Sequence, residues 1–161
     1  MIEYNLNQKI NYKLIESERV EDAPFMGALI SACDCKYNCP NCFNQKVKNL
    51  MTVSNSIEEI LKAVKSNPFH KGIIFAGLEW SLQMNECIAL ATAAKDVGLQ
   101  TIVYTGADQD SSIVRQYIKS NVFDYIKCGS YKEELTTANH IEYGVVLASS
   151  NQHILKRGVD Y

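Results

Sequence analysis

Four of the six cysteines in this 161-residue chain fall within ten residues, Cys33-Asp34-Cys35-Lys36-Tyr37-Asn38-Cys39-Pro40-Asn41-Cys42, directly after an apolar run. Thiolates at that density are ligands for a soft metal. Cys35, Cys39 and Cys42 are separated by three and then two residues. Three thiolates from one tight loop hold three corners of a cube-shaped four-iron cluster and leave the fourth iron open for chemistry. Cys-x-Cys and Cys-x2-Cys are also common zinc spacings, so a structural zinc site is the competing reading.

The remaining candidates are weaker. Cys33 reads as a core residue at a strand end, and Cys87 and Cys128 as small buried hydrophobes. His70, His140 and His153 share no helical face and no metal spacing, so surface or local hydrogen-bonding duties are expected of them. Glu79 follows a strand, where a lone carboxylate most often lies beside a helix N-terminus. Lys46-Val47-Lys48 and Lys156-Arg157 are too short to be more than solvated surface.

The elements that position these residues alternate. Pro24–Ala32 is an apolar run that predicts a buried strand leading into the cysteine loop. Ser56 and Glu59 form a capping-box pair, and Ile57, Ile60, Leu61 and Val64 follow at helical spacing, so a helix is expected from about Ser56 to Lys65. Gly72–Ala76 reads as the next strand. A helix follows with Met84, Cys87, Ile88, Ala91, Ala94 and Val97 as its apolar stripe and Gly98 as its stop. Gln100–Tyr104 predicts a strand, Ser112–Lys119 a helix and Phe123–Cys128 another strand. Lys9–Val20 accommodates one or two edge strands.

Such alternation predicts an α/β domain with a parallel sheet, whose functional loops gather at the carboxyl ends of the strands. The cysteine loop, Gly77-Leu78-Glu79 and Thr105-Gly106 are thus expected along one rim. At 161 residues the chain is too short for eight strand-helix units, which predicts an open, partial barrel. A single domain is expected, with 1–24 an N-terminal edge segment and 25–161 the core.

A formal net charge of −2 gives no basic face for nucleic acid. No leader-like start and no run long enough to span a bilayer are apparent, so no membrane association and a cytoplasmic location are expected. In that compartment clustered thiols are metal ligands more often than disulfides.

Cys35-x3-Cys39-x2-Cys42 at a strand end resembles the cluster-binding signature of the radical S-adenosylmethionine enzymes. Cys39-Pro40-Asn41-Cys42-Phe43-Asn44 resembles more narrowly the activating proteins of anaerobic ribonucleoside-triphosphate reductases. Ala76-Gly77-Leu78-Glu79-Trp80 stands where the family has Gly-Gly-Glu-Pro. Val103-Tyr104-Thr105-Gly106, Asp124–Tyr131 and Ser149-Ser150-Asn151-Gln152 are similar to its later strand ends and terminal segment. The resemblance implies a radical-enzyme partial TIM-like barrel holding a 4Fe-4S cluster on Cys35, Cys39 and Cys42. It implies S-adenosylmethionine contacts from Asn41, Phe43, Gly77, Leu78, Glu79 and Tyr104, with Glu79 accepting from the ligand's ammonium. Leu78 and Trp80 depart from the family's glycine and proline.

The implied activity is formation of a glycyl radical on the catalytic subunit of an anaerobic ribonucleotide reductase, with a flavodoxin or ferredoxin as electron donor. Activation of another glycyl-radical enzyme, a small-molecule radical enzyme and a non-catalytic zinc-binding interaction module are the alternatives.

Overall fold

The computed structural model describes residues 3–37 and 43–161. In chain order the elements are β1 (Lys9–Tyr12), β2 (Ile15–Arg19), β3 (Gly27–Ser31), a 3-10 helix at Phe43–Asn49, β4 (Val53–Ser56) and α1 (Ile57–Lys65). There follow β5 (Gly72–Ala76), a 3-10 helix at Trp80–Gln83, α2 (Met84–Asp96), β6 (Gln100–Tyr104), α3 (Ser112–Ser120) and β7 (Tyr125–Cys128). A short 3-10 turn at Glu133–Leu135 leads to β8 (Ile141–Glu142), β9 (Val145–Val146) and β10 (His153–Lys156). The main sheet has the order β10-β7-β6-β5-β3-β2. Its four central strands are parallel, and β2 and β10 run antiparallel on the two edges.

Side chains alternate across a strand, so each face of this sheet draws on every second residue. Ala28, Ile30, Ile73, Phe75, Val103 and Ile126 face the larger core, which also holds the apolar residues of α1, α2 and α3. Phe75, Trp80, Tyr117 and Phe123 meet edge to face there, with ring centroids 5.1–5.8 Å apart. Leu29, Ile74, Ala76 and Ile102 point the other way, where Ala23 and Phe25 of the β2–β3 connection cover them in part. Among the described residues no α-helix packs on that second face. Helices on one side only, over parallel strands, leave the opposite side free for a site.

The helices form as their sequences dictate. Ser56 accepts from the Glu59 amide in an extended conformation, and Ile57, Ile60, Leu61 and Val64 are buried beneath it, each worth about 1.5–3 kcal/mol of transfer. The Gly72–Ala76 and Gln100–Tyr104 strands lie where the sequence places them, and Gly98 ends α2 with φ +83°. The burial of α2 is wider than the expected stripe. Ala89, Leu90, Thr92 and Ala93 are buried too, because small side chains let this helix sink between the sheet and its neighbours. Val97 is exposed, beyond the helix end.

Further detail modifies the sequence reading. The Lys9–Val20 segment splits, and only β2 is an edge of the main sheet; β1 pairs with β4, a strand the sequence did not announce. The last strand of the expected set begins at Tyr125 rather than Phe123. Ser149 and Gln152, in the segment that resembles the family's terminal run, are buried. No helix among the described residues is long and apolar enough to cross a membrane.

Asp124, at the amino end of β7, ties three elements together. It accepts from Lys95 Nζ at 2.7 Å, Arg157 Nη2 at 2.8 Å and the Thr101 amide at 2.9 Å. Burial alone raises its pKa, but the Lys95 ammonium, the Thr101 amide and Arg157 outweigh that and hold it below the ordinary value. The stabilisation is therefore complete above the unfolded-state value of about 3.9 and is lost as the pH falls through the lower folded value. Urea unfolding between neutral pH and pH 3 is expected to show this loss, and Asp124→Asn to blunt it while costing roughly 1–3 kcal/mol at neutral pH.

Candidate functional site

The carboxyl ends of β3, β5, β6 and β7 meet on the uncovered face at a cleft of about 720 Å³, within the range of small-molecule and cofactor sites. Cys35, Gly77, Leu78, Glu79, Tyr104, Thr105 and Gly106 all line it. The rim expected from sequence is assembled. Cys39, Cys42 and Asn41 lie outside the described residues, and of Phe43 only the backbone, at the start of its 3-10 helix, is described.

Cys35 is held by the chain around it. Its amide donates to Asp34 Oδ1 at 2.7 Å and its carbonyl accepts from Lys48 Nζ at 2.8 Å. The Asp34 carbonyl accepts from the Glu79 amide at 2.8 Å, which fastens this loop to the end of β5. The Cys33 amide donates to Gln83 Oε1 at 3.0 Å. Cys33 itself is half-buried; burial pushes its thiol up, so it is protonated at neutral pH. Tyr37 lines the cleft, as do Asn44, Gln45, Val47 and Lys48.

Glu79 is buried, with 3 % exposure, and organises the rim. It caps the Trp80–Gln83 helix by accepting from the Ser81 amide at 3.1 Å and from the Ser81 hydroxyl. Its Oε1 accepts from the Gly106 amide at 2.8 Å, and Thr105 Oγ1 lies 3.1–3.2 Å from both oxygens. The helix-cap reading of this residue is thus realised. Any contact with a ligand ammonium would be added to four donors already in place.

Gly77 has φ +85°, and a Cβ built there would stand 2.2 Å from Ser31 Oγ. Only glycine takes this turn without displacing β3. Leu78 is buried and belongs to the larger core, and Trp80 is fully buried with Nε1 donating to the Ile30 carbonyl at 3.0 Å. The two departures from the resembled motif therefore serve packing beneath the rim.

Tyr104 donates to the Asp22 carbonyl at 2.6 Å, and burial raises its pKa, so the phenol is neutral. Lys127 Nζ stands 4.9 Å from its ring centroid, a cation–π distance. The ring thus joins the β2–β3 connection to the cleft floor.

Further residues complete the cleft, of which Arg19 and Asp22 carried no signal in the sequence. Arg19 and Asp22 form one wall, paired at 2.7 Å. Lys127, Ser130 and Gln152 line another part. Asn151 Nδ2 donates to the Ser130 carbonyl at 2.8 Å, while its Oδ1 is buried without a partner among the described residues. Cys87 and Cys128 are buried and burial raises both thiols, Cys128 to about 11, in keeping with the core role expected of them.

A family model for a 4Fe-4S single cluster domain matches residues 26–155. No curated protein matches the chain.

Proposed function

The chain belongs to the 4Fe-4S single cluster domain family, and from that premise we propose that it is a radical S-adenosylmethionine enzyme of the glycyl-radical activating type. The observation that carries this reading is the convergence of Cys35, Gly77, Glu79, Tyr104 and Gly106 on one cleft at the carboxyl ends of parallel strands. Family membership also displaces the zinc-module alternative for the clustered cysteines.

The residues present fit a cluster. Cys35 lines the cleft, and its backbone is fixed on both sides by Asp34 and Lys48. With Cys39 and Cys42, which lie outside the described residues, it would make up a three-thiolate donor set typical of iron-sulfur ligation. Cys35, Cys39 and Cys42 would hold the cluster, which would supply one electron for reductive cleavage of S-adenosylmethionine to methionine and a 5′-deoxyadenosyl radical.

The chain's own residues bind, orient and shield. Gly77, without a side chain, lets backbone come close to a methionine moiety. The carboxylate of Glu79 holds the Gly106 amide and Thr105 in register, so the ends of β5 and β6 present one continuous wall. Tyr104, neutral and braced against Asp22, offers an apolar ring beside the cationic head of Lys127. Helices confined to one face of the parallel strands support the open-barrel reading. The cleft lies on the face that no described α-helix covers, which favours a loop of a folded partner, and so a glycine in a reductase, as the hydrogen donor. The electron comes one at a time from a flavodoxin or ferredoxin.

The test is product analysis. Cluster-loaded protein with dithionite and S-adenosylmethionine is expected to yield methionine and 5′-deoxyadenosine in equal amounts. Added anaerobic reductase subunit is expected to gain a glycyl-radical doublet in electron paramagnetic resonance. Absence of both cleavage products overturns the radical reading; cleavage without the doublet overturns only the choice of partner.

A further inference from the structure

A second group of ligating side chains lies apart from the cysteine loop. Glu142 ends β8, His140 precedes that strand, and His153 opens β10. Glu142 Oε2 is 2.6 Å from His140 Nε2 and 3.0 Å from His153 Nδ1. One ligand atom from each residue lies within 4.8 Å of the other two. The second carboxylate oxygen is held by the Ile154 amide at 2.8 Å, which aims Oε2 at the two imidazoles.

The hydrogen bonds of His140 sharpen the point. Its Nδ1 lies 3.2 Å from the Ser149 carbonyl, which can only accept, so Nδ1 carries the proton of that bond. A neutral imidazole has a single N–H. Its Nε2 therefore turns a lone pair toward a carboxylate oxygen at 2.6 Å. A second ring proton or a cation reconciles those two groups. A carbonyl on the far ring nitrogen is also the contact that fixes tautomer and orientation in metal-binding histidines.

Two imidazoles and one carboxylate suit borderline divalent metals such as zinc, whereas calcium and magnesium favour all-oxygen sets. We propose that His140, Glu142 and His153 form a binding site for a divalent transition-metal ion of the zinc type, with three protein ligands and a fourth position to solvent. Binding at metal–ligand distances near 2.0–2.1 Å spreads tetrahedral ligand atoms to about 3.3 Å. Side chains that are 19 %, 25 % and 42 % exposed have room for that movement.

The position gives the ion a purpose. Val145 and Leu147 of the hairpin pack with Ile154 of β10 in a small cluster of their own, and residues from Val145 to Ala148 line the cleft. The ion fastens this wall of the cleft to the sheet edge, without drawing on any cysteine.

The test is calorimetric titration of zinc chloride into the full chain, as prepared for the cluster assays, beside Glu142→Gln and His153→Gln. The wild type is expected to bind one more equivalent per chain than either variant, and zinc to raise its unfolding temperature. Equal stoichiometry and affinity in all three proteins would overturn the site, since any zinc taken up would then sit elsewhere. Circular dichroism of the variants, His153 being the more exposed ligand, keeps misfolding separate from loss of a ligand. A wild type that takes up no zinc at all would equally overturn it and leave the three residues a proton-sharing cluster.

Discussion

Replacing Cys35 with alanine is expected to abolish cluster binding and S-adenosylmethionine cleavage while leaving the domain folded. Under the proposed ligation by Cys35, Cys39 and Cys42, removing one thiolate leaves two irons without a protein ligand. The fold does not depend on that loop. Its core is the parallel sheet with α1, α2 and α3, and Cys35 only borders it. The change should therefore cost no more than roughly 1 kcal/mol of stability, as for other substitutions away from the core. Iron and sulfide per chain after reconstitution, together with denaturant unfolding of the unreconstituted variant, check both halves. Cys39→Ala is expected to behave alike. Global unfolding of either variant would indicate that metal holds the fold together, as in small metal-stapled domains.

Glu79→Gln should be the most damaging isosteric change at the rim. The Gly106 amide donates to one carboxylate oxygen and the Ser81 amide to the other. Whichever way a glutamine amide is turned, its NH2 faces a backbone N–H. One buried donor is left unsatisfied, and the remaining bonds lose their charge assistance, for an expected loss of about 2–4 kcal/mol. Because Glu79 joins the ends of β5 and β6, cleavage activity should fall along with stability. Thr105→Val removes only the shared hydroxyl and its bond to the Ala107 amide, so its cost should be nearer 1 kcal/mol. Urea melts of the two variants beside the wild type give the comparison; a Glu79→Gln protein as stable as wild type would contradict the geometry of the rim.

What the sequence disclosed and what it hid follow from the kind of signal involved. Ile57–Lys65, Gly72–Ala76 and Gln100–Tyr104 combine a cap or a continuous apolar run with long-range burial, and local pattern suffices for them. The rim follows from them, because parallel strands bring their carboxyl ends together. The β8–β9 hairpin gave no warning. Its loop is Tyr143-Gly144, with φ +51° and +80°, a two-residue turn of positive φ built without the usual Asn-Gly or Asp-Gly. Missing the hairpin meant missing what it joins. His140 and His153 are far apart in sequence, yet their ring centroids lie 5.7 Å apart because the chain doubles back between them.

Other residues show their roles only through their partners. Glu79 has the same position after a strand whether it caps a helix or meets a ligand, and only its partners distinguish the roles. Ser149-Ser150-Asn151-Gln152 is a run of polar residues, yet the Gln152 side chain donates to the Gly129 carbonyl at 3.3 Å and accepts from the Ser149 amide at 3.1 Å. Polar residues are buried where they satisfy backbone groups, and one-dimensional polarity does not show that.

The most direct measurement is electron paramagnetic resonance of the anaerobically reconstituted, reduced protein, recorded with and without S-adenosylmethionine. A reduced-cluster signal that changes when the cofactor is added is the predicted result, because an iron open to the ligand is the centre of the account. A cluster signal indifferent to S-adenosylmethionine would contradict it and leave an iron-sulfur protein without radical chemistry.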